Sequence, residues 1–206
     1  MDRKNRTRLF LIRHGDTIDE ETKKVFKGSK DIPLSEKGRA RLRKASQFLT
    51  RFNFDHIYTS ALSRCIESGK IIAEPHNLET EVAAAFNEIH FGIWEGRSFE
   101  EIDEENPTEF RRWVKNPDIH TPPQGESLAD AQQRSVGIFN EMISKHRGEN
   151  IVIVAHAGIL RLILASILDM KLSAIFKLGQ DYGCINIIDI YKDDIAVIKL
   201  LNFTMY

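Results

Sequence analysis

Regular structure begins with a short apolar run, Leu9-Phe10-Leu11-Ile12, after a polar and basic start. An uninterrupted run of that length reads as a strand covered on both faces. It stops at Arg13-His14-Gly15-Asp16-Thr17, and a polar loop with Gly28, Asp31 and Pro33 follows. Ser35 is placed to cap a helix over about 36–51, whose apolar face is Ala40, Leu42, Ala45, Phe48 and Leu49. Residues 55–59 form a second short strand, and Ser60 then reads as the cap of a helix running to about residue 74. The stretch 78–97 is irregular. Two acidic helices are expected near 98–105 and 108–115, and three prolines make 116–125 a loop. Ser127 with Asp130 resembles a capping box opening a helix to about His146. Ile151-Val152-Ile153-Val154-Ala155 lacks polar alternation, as a central parallel strand does. It enters a hydrophobic helix over 159–168. Strands near 183–191 and 194–201, joined by a turn at 192–194, complete the pattern.

Strands alternating with helices imply an α/β fold, a three-layer α/β/α sandwich around a largely parallel sheet. No repeat, low-complexity tract or linker divides the chain, so residues 1–206 are expected to form one domain. A chain of this size can bury about 70% of its extended surface, so no metal or disulfide staple is needed. Twenty-nine basic against thirty acidic residues leave a formal charge of −1. Bulk charge therefore recruits neither nucleic acid nor a membrane surface. The apolar run at Leu9–Ile12 is too short for a signal peptide or a membrane span. Cys65 and Cys184 stand in no paired motif, which fits a reducing compartment. The cytoplasm is the expected location.

Open α/β sheets bind ligands beyond the carboxyl ends of their strands. Three strand exits here carry reactive residues: Arg13-His14-Gly15, Thr59-Ser60 with Arg64 a turn further on, and His156-Ala157-Gly158. If the strands are parallel neighbours, two histidines and two arginines converge. Guanidinium forks match phosphate oxygens. The helix after His156 offers backbone N–H groups to an anion. A phosphate charge of about −1.5 to −2 would be met by Arg13, Arg64 and a protonated His156. Neither an aspartate cluster for Mg²⁺ nor a Gly-rich loop with Lys-Ser/Thr is present. The pattern points to phosphate-ester chemistry without metal or cofactor, through a histidine nucleophile.

Six ordered blocks between residues 9 and 161 carry a family resemblance. They are Leu11-Ile12-Arg13-His14-Gly15-Asp16-Thr17; Gly28-x-x-Asp31-x-Pro33-Leu34-Ser35-x-x-Gly38; Ser60-Ala61-Leu62-Ser63-Arg64; Glu88 with Phe91-Gly92-x-Trp94-Glu95-Gly96; Pro123-x-Gly125-Glu126-Ser127; and His156-Ala157-Gly158. Together they resemble the histidine phosphatase superfamily, the phosphoglycerate mutase-like proteins. The resemblance implies that His14 takes the phosphoryl group as phosphohistidine. Arg13, Arg64 and His156 would bind its oxygens, with help from the Ala157 amide, the Thr17 hydroxyl and the Gly28 loop. Glu88 would protonate the leaving oxygen and then activate water, a role that suits a carboxyl group whose pKa is raised by phosphate nearby. Asp16 stands where the family usually has Glu, and Ala157 where Gly is common.

Within the family, the 91–96 segment and the short length look more like the α-ribazole phosphatase and fructose-2,6-bisphosphatase-like branches than the longer mutases. α-Ribazole-5′-phosphate is the first substrate expectation. The rivals are a cofactor-dependent phosphoglycerate mutase, a phospho-ligand binding module without turnover, and a general nucleotide-binding domain. Residues 86–125 are expected to cap the site and set specificity. The implied partner is a small phosphorylated metabolite, and self-association into a homo-oligomer is left open. Several residues have plainer readings. His90 is expected to be a hydrogen-bonded structural histidine, and Trp94 and Trp113 to pack the core or cap. Cys65 reads as structural, although Arg64 beside it could lower its pKa. His56, His76, His120 and His146 stand isolated, with no pair at metal-ligand spacing.

Overall fold

The computed structural model describes residues 6–21 and 25–205; the basic start over 1–5 lies outside them. Its six-stranded sheet comprises β1 (Arg6–Arg13), β2 (His56–Thr59), β3 (Glu81–Val82), β4 (Asn150–Ala155), β5 (Ile185–Tyr191) and β6 (Ala196–Phe203). The spatial order is β3-β2-β4-β1-β5-β6. β4 runs parallel to both β1 and β2, and β3 runs parallel to β2, while β5 and β6 are antiparallel additions at the other edge. β3, only two residues long, has no apolar run to announce it.

Alternate side chains of the central strands supply two separate apolar layers. Phe10, Ile12, Val152 and Val154 point to α1 (Glu36–Leu49) and α2 (Ser63–Ala73). Leu9, Leu11, Ile151 and Ile153 point to the other face, against α5 (Leu128–Lys145) and α6 (Ala157–Ile167). The second layer continues into α3 (Phe99–Glu105) and α4 (Pro107–Lys115), which contribute Ile102, Phe110 and Trp113. The expected three layers are present. Among the described residues, no helix is long and apolar enough to cross a membrane.

Local chemistry sets the helix starts. Ser35 and Ser127 accept from the amides of Gly38 and Asp130, both at 3.1 Å, which satisfies donors that each helix leaves unpaired. Ser98 and Glu101 form a reciprocal capping box on α3. Ser60 is a correction. α2 starts three residues later, with Leu62 at the cap position and no side-chain cap. The Ser60 hydroxyl is committed elsewhere, 2.7 Å from His156 Nε2.

Candidate active site

Because β4 lies between β1 and β2, the three strand exits are adjacent. The backbone fixes this directly: the amides of His14 and Ser60 both donate into β4, to the carbonyls of Ala155 and Val154, each at 3.0 Å. The His14 and His156 rings come to 5.1 Å between centroids. Arg13, His14, Arg64, Glu88, Ala157 and Gly158 all line one cleft of about 940 Å³.

His14 is 2% exposed. Its Nδ1 lies 2.7 Å from the Gly15 carbonyl, which can only accept, so Nδ1 carries the proton and Nε2 holds the lone pair. Burial, then the Arg13 and Arg64 charges, hold its pKa well below the ordinary 6.5, so the ring is neutral. His156 is also fully buried. Burial, then Arg64, His14 and Arg13, push it in the same direction. Arg64 Nε donates to its Nδ1 at 3.3 Å, so its Nε2–H donates to Ser60. The expected imidazolium at His156 is therefore corrected to a neutral ring. The positive charge facing the cleft comes from arginines and lysines, Arg13, Arg64 and Lys27 among them.

Arg64 is buried completely in the first turn of α2. Its guanidinium donates to the carbonyls of Lys30 at 2.6 Å and Gly28 at 2.9 Å. Gly28 lines the cleft and holds φ at +50°, and a Cβ there would fall 2.0 Å from the Glu95 carboxylate. Arg13 lies 3.6 Å over the Tyr182 ring and donates to the Gln180 carbonyl at 2.7 Å. Both guanidiniums are thus oriented by neutral acceptors and a ring face. Their charge is not neutralised by a carboxylate in those contacts, which leaves it available to an anion.

Glu88 reaches the cleft from the irregular stretch after β3. Its carboxylate accepts from three amides: Ile89 at 3.1 Å, Gly158 at 3.2 Å and Ile159 at 3.3 Å. The α6 N-terminus expected to hold substrate phosphate is thus engaged by Glu88. Gly158 makes this approach possible, since a Cβ would sit 2.6 Å from Glu88 Oε1. Two polar residues that sequence reasoning passed over hold the segment in place. Arg134 donates to the carbonyls of Ala85, Asn87 and Glu88, at 2.7, 2.8 and 3.2 Å, while it pairs with Glu126 at 2.6 Å. Asn87 accepts from the Ala61 amide at 2.8 Å. Only a polar residue on an otherwise ordinary helix face hints at Arg134 in the sequence.

Other expectations change. Thr17 lies outside the cleft wall: its buried hydroxyl donates to Asp19 at 2.6 Å. Burial pushes the Cys65 thiol up to about 12, outweighing Ser60 and Arg64. His90 is exposed, 3.8 Å from Glu95 through Nε2. Trp94 and Trp113 are buried in the aromatic cluster, and Trp113 also reaches the cleft. His56 and His146, isolated in the sequence, lie with their ring centroids 3.9 Å apart, the rings tilted by 44°, at the far end of the sheet. Lys27 and Tyr182, not anticipated, line the cleft and are joined by a 3.1 Å hydrogen bond.

The cleft is also lined by apolar side chains, Val25, Phe26, Ile89, Phe91, Phe99 and Trp113. Phe99, Val114 and Phe176 are each about half exposed at its edge (50%, 47% and 45%).

The sequence model of the histidine phosphatase superfamily (branch 1) matches residues 9–204. Phosphoserine phosphatase 1 of Hydrogenobacter thermophilus is 32% identical over 193 residues, covering 94% of this chain and 91% of that one. The adenosylcobalamin/alpha-ribazole phosphatase of Salmonella typhimurium is 27% identical over 195 residues, covering 95% and 96%. Among solved structures, Bacillus stearothermophilus YhfR superposes with a TM-score of 0.89 at 28% identity, over 97% of this chain and 98% of that one. The alpha-ribazole phosphatase from Shigella flexneri gives 0.86 at 27%, over 95% and 96%.

Proposed function

The chain belongs to the histidine phosphatase superfamily and is a phosphatase, and on that premise we propose that it hydrolyses a small phosphomonoester through a phosphohistidine at His14, without a metal. The observation that carries this reading is the state of His14. Its Nδ1 proton is held by the Gly15 carbonyl and its ring is neutral. Nε2 is therefore a nucleophile at neutral pH without prior deprotonation.

In the first step Nε2 attacks phosphorus and the bond to the ester oxygen breaks. Glu88 gives its proton to that oxygen, and the alcohol leaves. In the second step water attacks phosphorus and the N–P bond breaks. Glu88 takes the water proton, and inorganic phosphate departs. Arg13 and Arg64 meet the phosphoryl oxygens, and the Ser60–His156–Arg64 chain keeps the Arg64 fork aligned. Positioned cations of this kind stabilise charge spread over the equatorial oxygens.

Residues 86–125 act as the cap. They supply Glu88 and most of the apolar lining. That lining favours a leaving group with an aromatic surface, so α-ribazole-5′-phosphate is the proposed substrate, with the Salmonella relative in support. Phosphoserine is the second reading. It rests on the 32% identical relative. A phosphate-release panel of α-ribazole-5′-phosphate, phosphoserine and p-nitrophenyl phosphate, run in EDTA, separates these. The expected result is turnover in EDTA with the highest kcat/KM on α-ribazole-5′-phosphate, and label trapped on the wild type but not on His14→Ala. Preference for phosphoserine overturns the substrate. Label on His14→Ala, or dependence on added metal, overturns the mechanism.

A further inference from the structure

The end of the sheet away from the phosphatase cleft holds a second cluster of chemistry-bearing side chains. His56 opens β2, His146 follows α5, and Glu149 precedes β4. One ligand atom from each lies within 4.8 Å of the other two. A single carboxylate oxygen joins them: Glu149 Oε2 is 3.2 Å from His56 Nε2 and 2.8 Å from His146 Nδ1. Around a Zn²⁺ ion with bonds near 2.0–2.1 Å, tetrahedral ligand atoms sit roughly 3.3 Å apart. Both Glu149 contacts lie within about 0.5 Å of that spacing, and one nitrogen from each ring lies within 4.8 Å of the other.

The outer nitrogen of each ring is also provided for. His56 Nδ1 faces Glu81 Oε1 at 3.5 Å, and His146 Nε2 faces the Tyr58 hydroxyl at 2.9 Å. Ligating histidines nearly always donate their second N–H to such a partner, which fixes the tautomer and the ring orientation. Both rings are thus placed to turn one nitrogen inward and one outward. The backbone holds the loop that carries two of the three groups. The Glu149 amide donates to the His146 carbonyl at 3.2 Å, and Gly148 between them adopts φ +88°. His146 is the C-cap of α5, where the helix dipole favours a cation. Two carboxylates, Glu149 and Glu81, match the charge of a divalent ion.

We propose that His56, His146 and Glu149 form a zinc site that clips the start of β2 to the α5–β4 turn, with water completing the coordination. Two imidazoles and one carboxylate suit Zn²⁺. The site lies apart from the phosphatase chemistry. His56 and the active-site residue Ser60 are separated by the four-residue length of β2, roughly 13 Å. The clip joins segments ninety residues apart in the chain, so occupancy stabilises the folded state without entering the reaction.

The test uses the full chain, stripped with chelator and exchanged into metal-free buffer, then titrated with ZnCl₂ alone. One equivalent should bind by calorimetry. At zinc a hundredfold above Kd, the melting temperature should rise by roughly 5–10 °C. His56→Gln and Glu149→Gln, both at accessible positions, should abolish most of that shift while leaving p-nitrophenyl phosphate turnover unchanged. Glu81→Gln, which alters only an outer partner, should weaken binding about ten- to a hundredfold. Absence of a zinc-dependent shift overturns the proposal. So does equal zinc binding by the His56→Gln/Glu149→Gln double variant, or loss of turnover in step with the first equivalent, which would place the ion at His14 and His156.

Discussion

Glu88→Gln separates the proton-transfer role of this residue from its structural one. The carboxylate accepts three amide hydrogen bonds, from Ile89 and Ile159 at Oε1 and from Gly158 at Oε2. A glutamine has one acceptor oxygen. Placed at the Oε1 position it keeps two of the three, and its NH₂ then meets the Gly158 N–H donor to donor. An unsatisfied buried donor costs about 1–3 kcal/mol. For a chain of this length that is a fall in Tm of roughly 2–12 °C, so the variant should fold. The chemical loss is larger. A positioned acid contributes about 10² to 10⁴-fold, or about 2.7–5.4 kcal/mol of barrier. That contribution applies to a leaving group that must be protonated. Single-turnover rapid quench should therefore show at least a hundredfold loss on an alkyl phosphate and a much smaller one on p-nitrophenyl phosphate, whose phenolate leaves unaided. Acid-labile, base-stable phosphoenzyme should still form on the variant from the aryl ester. An equal loss on both esters in the phosphoryl-transfer step would refute the assignment of Glu88 as the acid.

Two further outcomes follow from the same geometry. His14 and His156 are held neutral by burial beside arginines, so the unfolded chain binds protons that the folded chain refuses. Stability should be fully present above pH 6.5 and fall as pH drops below it, by up to about 1.4 kcal/mol per pH unit for each histidine; urea unfolding at pH 7.5 and 5.5 checks this, and equal midpoints would refute it. Gly158→Ala places a methyl group 2.6 Å from both Glu88 Oε1 and Ile89 Cδ1. It should cost about 1–3 kcal/mol in denaturant unfolding and depress alkyl-phosphate turnover more than aryl-phosphate turnover, and an unaltered ratio would show that the approach of Glu88 to α6 does not matter.

Apart from β3, the order of strands and long helices and the reactive strand exits were legible because each is a local pattern. An apolar run that stops at Arg13-His14-Gly15, or at His156-Ala157-Gly158, marks a strand end with polar cargo wherever the strand lies. The rest depended on which segments become neighbours. Insertion of β4 between β1 and β2 makes the exits one site, and no local pattern states that order. Ser60 reads locally as a cap, yet a buried imidazole takes its hydroxyl, because Ser60 and His156 leave adjacent parallel strands. His156 was expected to be charged because arginines imply phosphate. Complete burial among those same cations makes the neutral ring the stable one. Glu88 carried a motif, but its grip on the amides of α6 needs a glycine seventy residues later and an arginine on α5. His56 and His146 are unremarkable in one dimension. They meet because β2 and β4 pair in parallel, which brings the first residue of β2 and the turn ahead of β4 to the same end of the sheet.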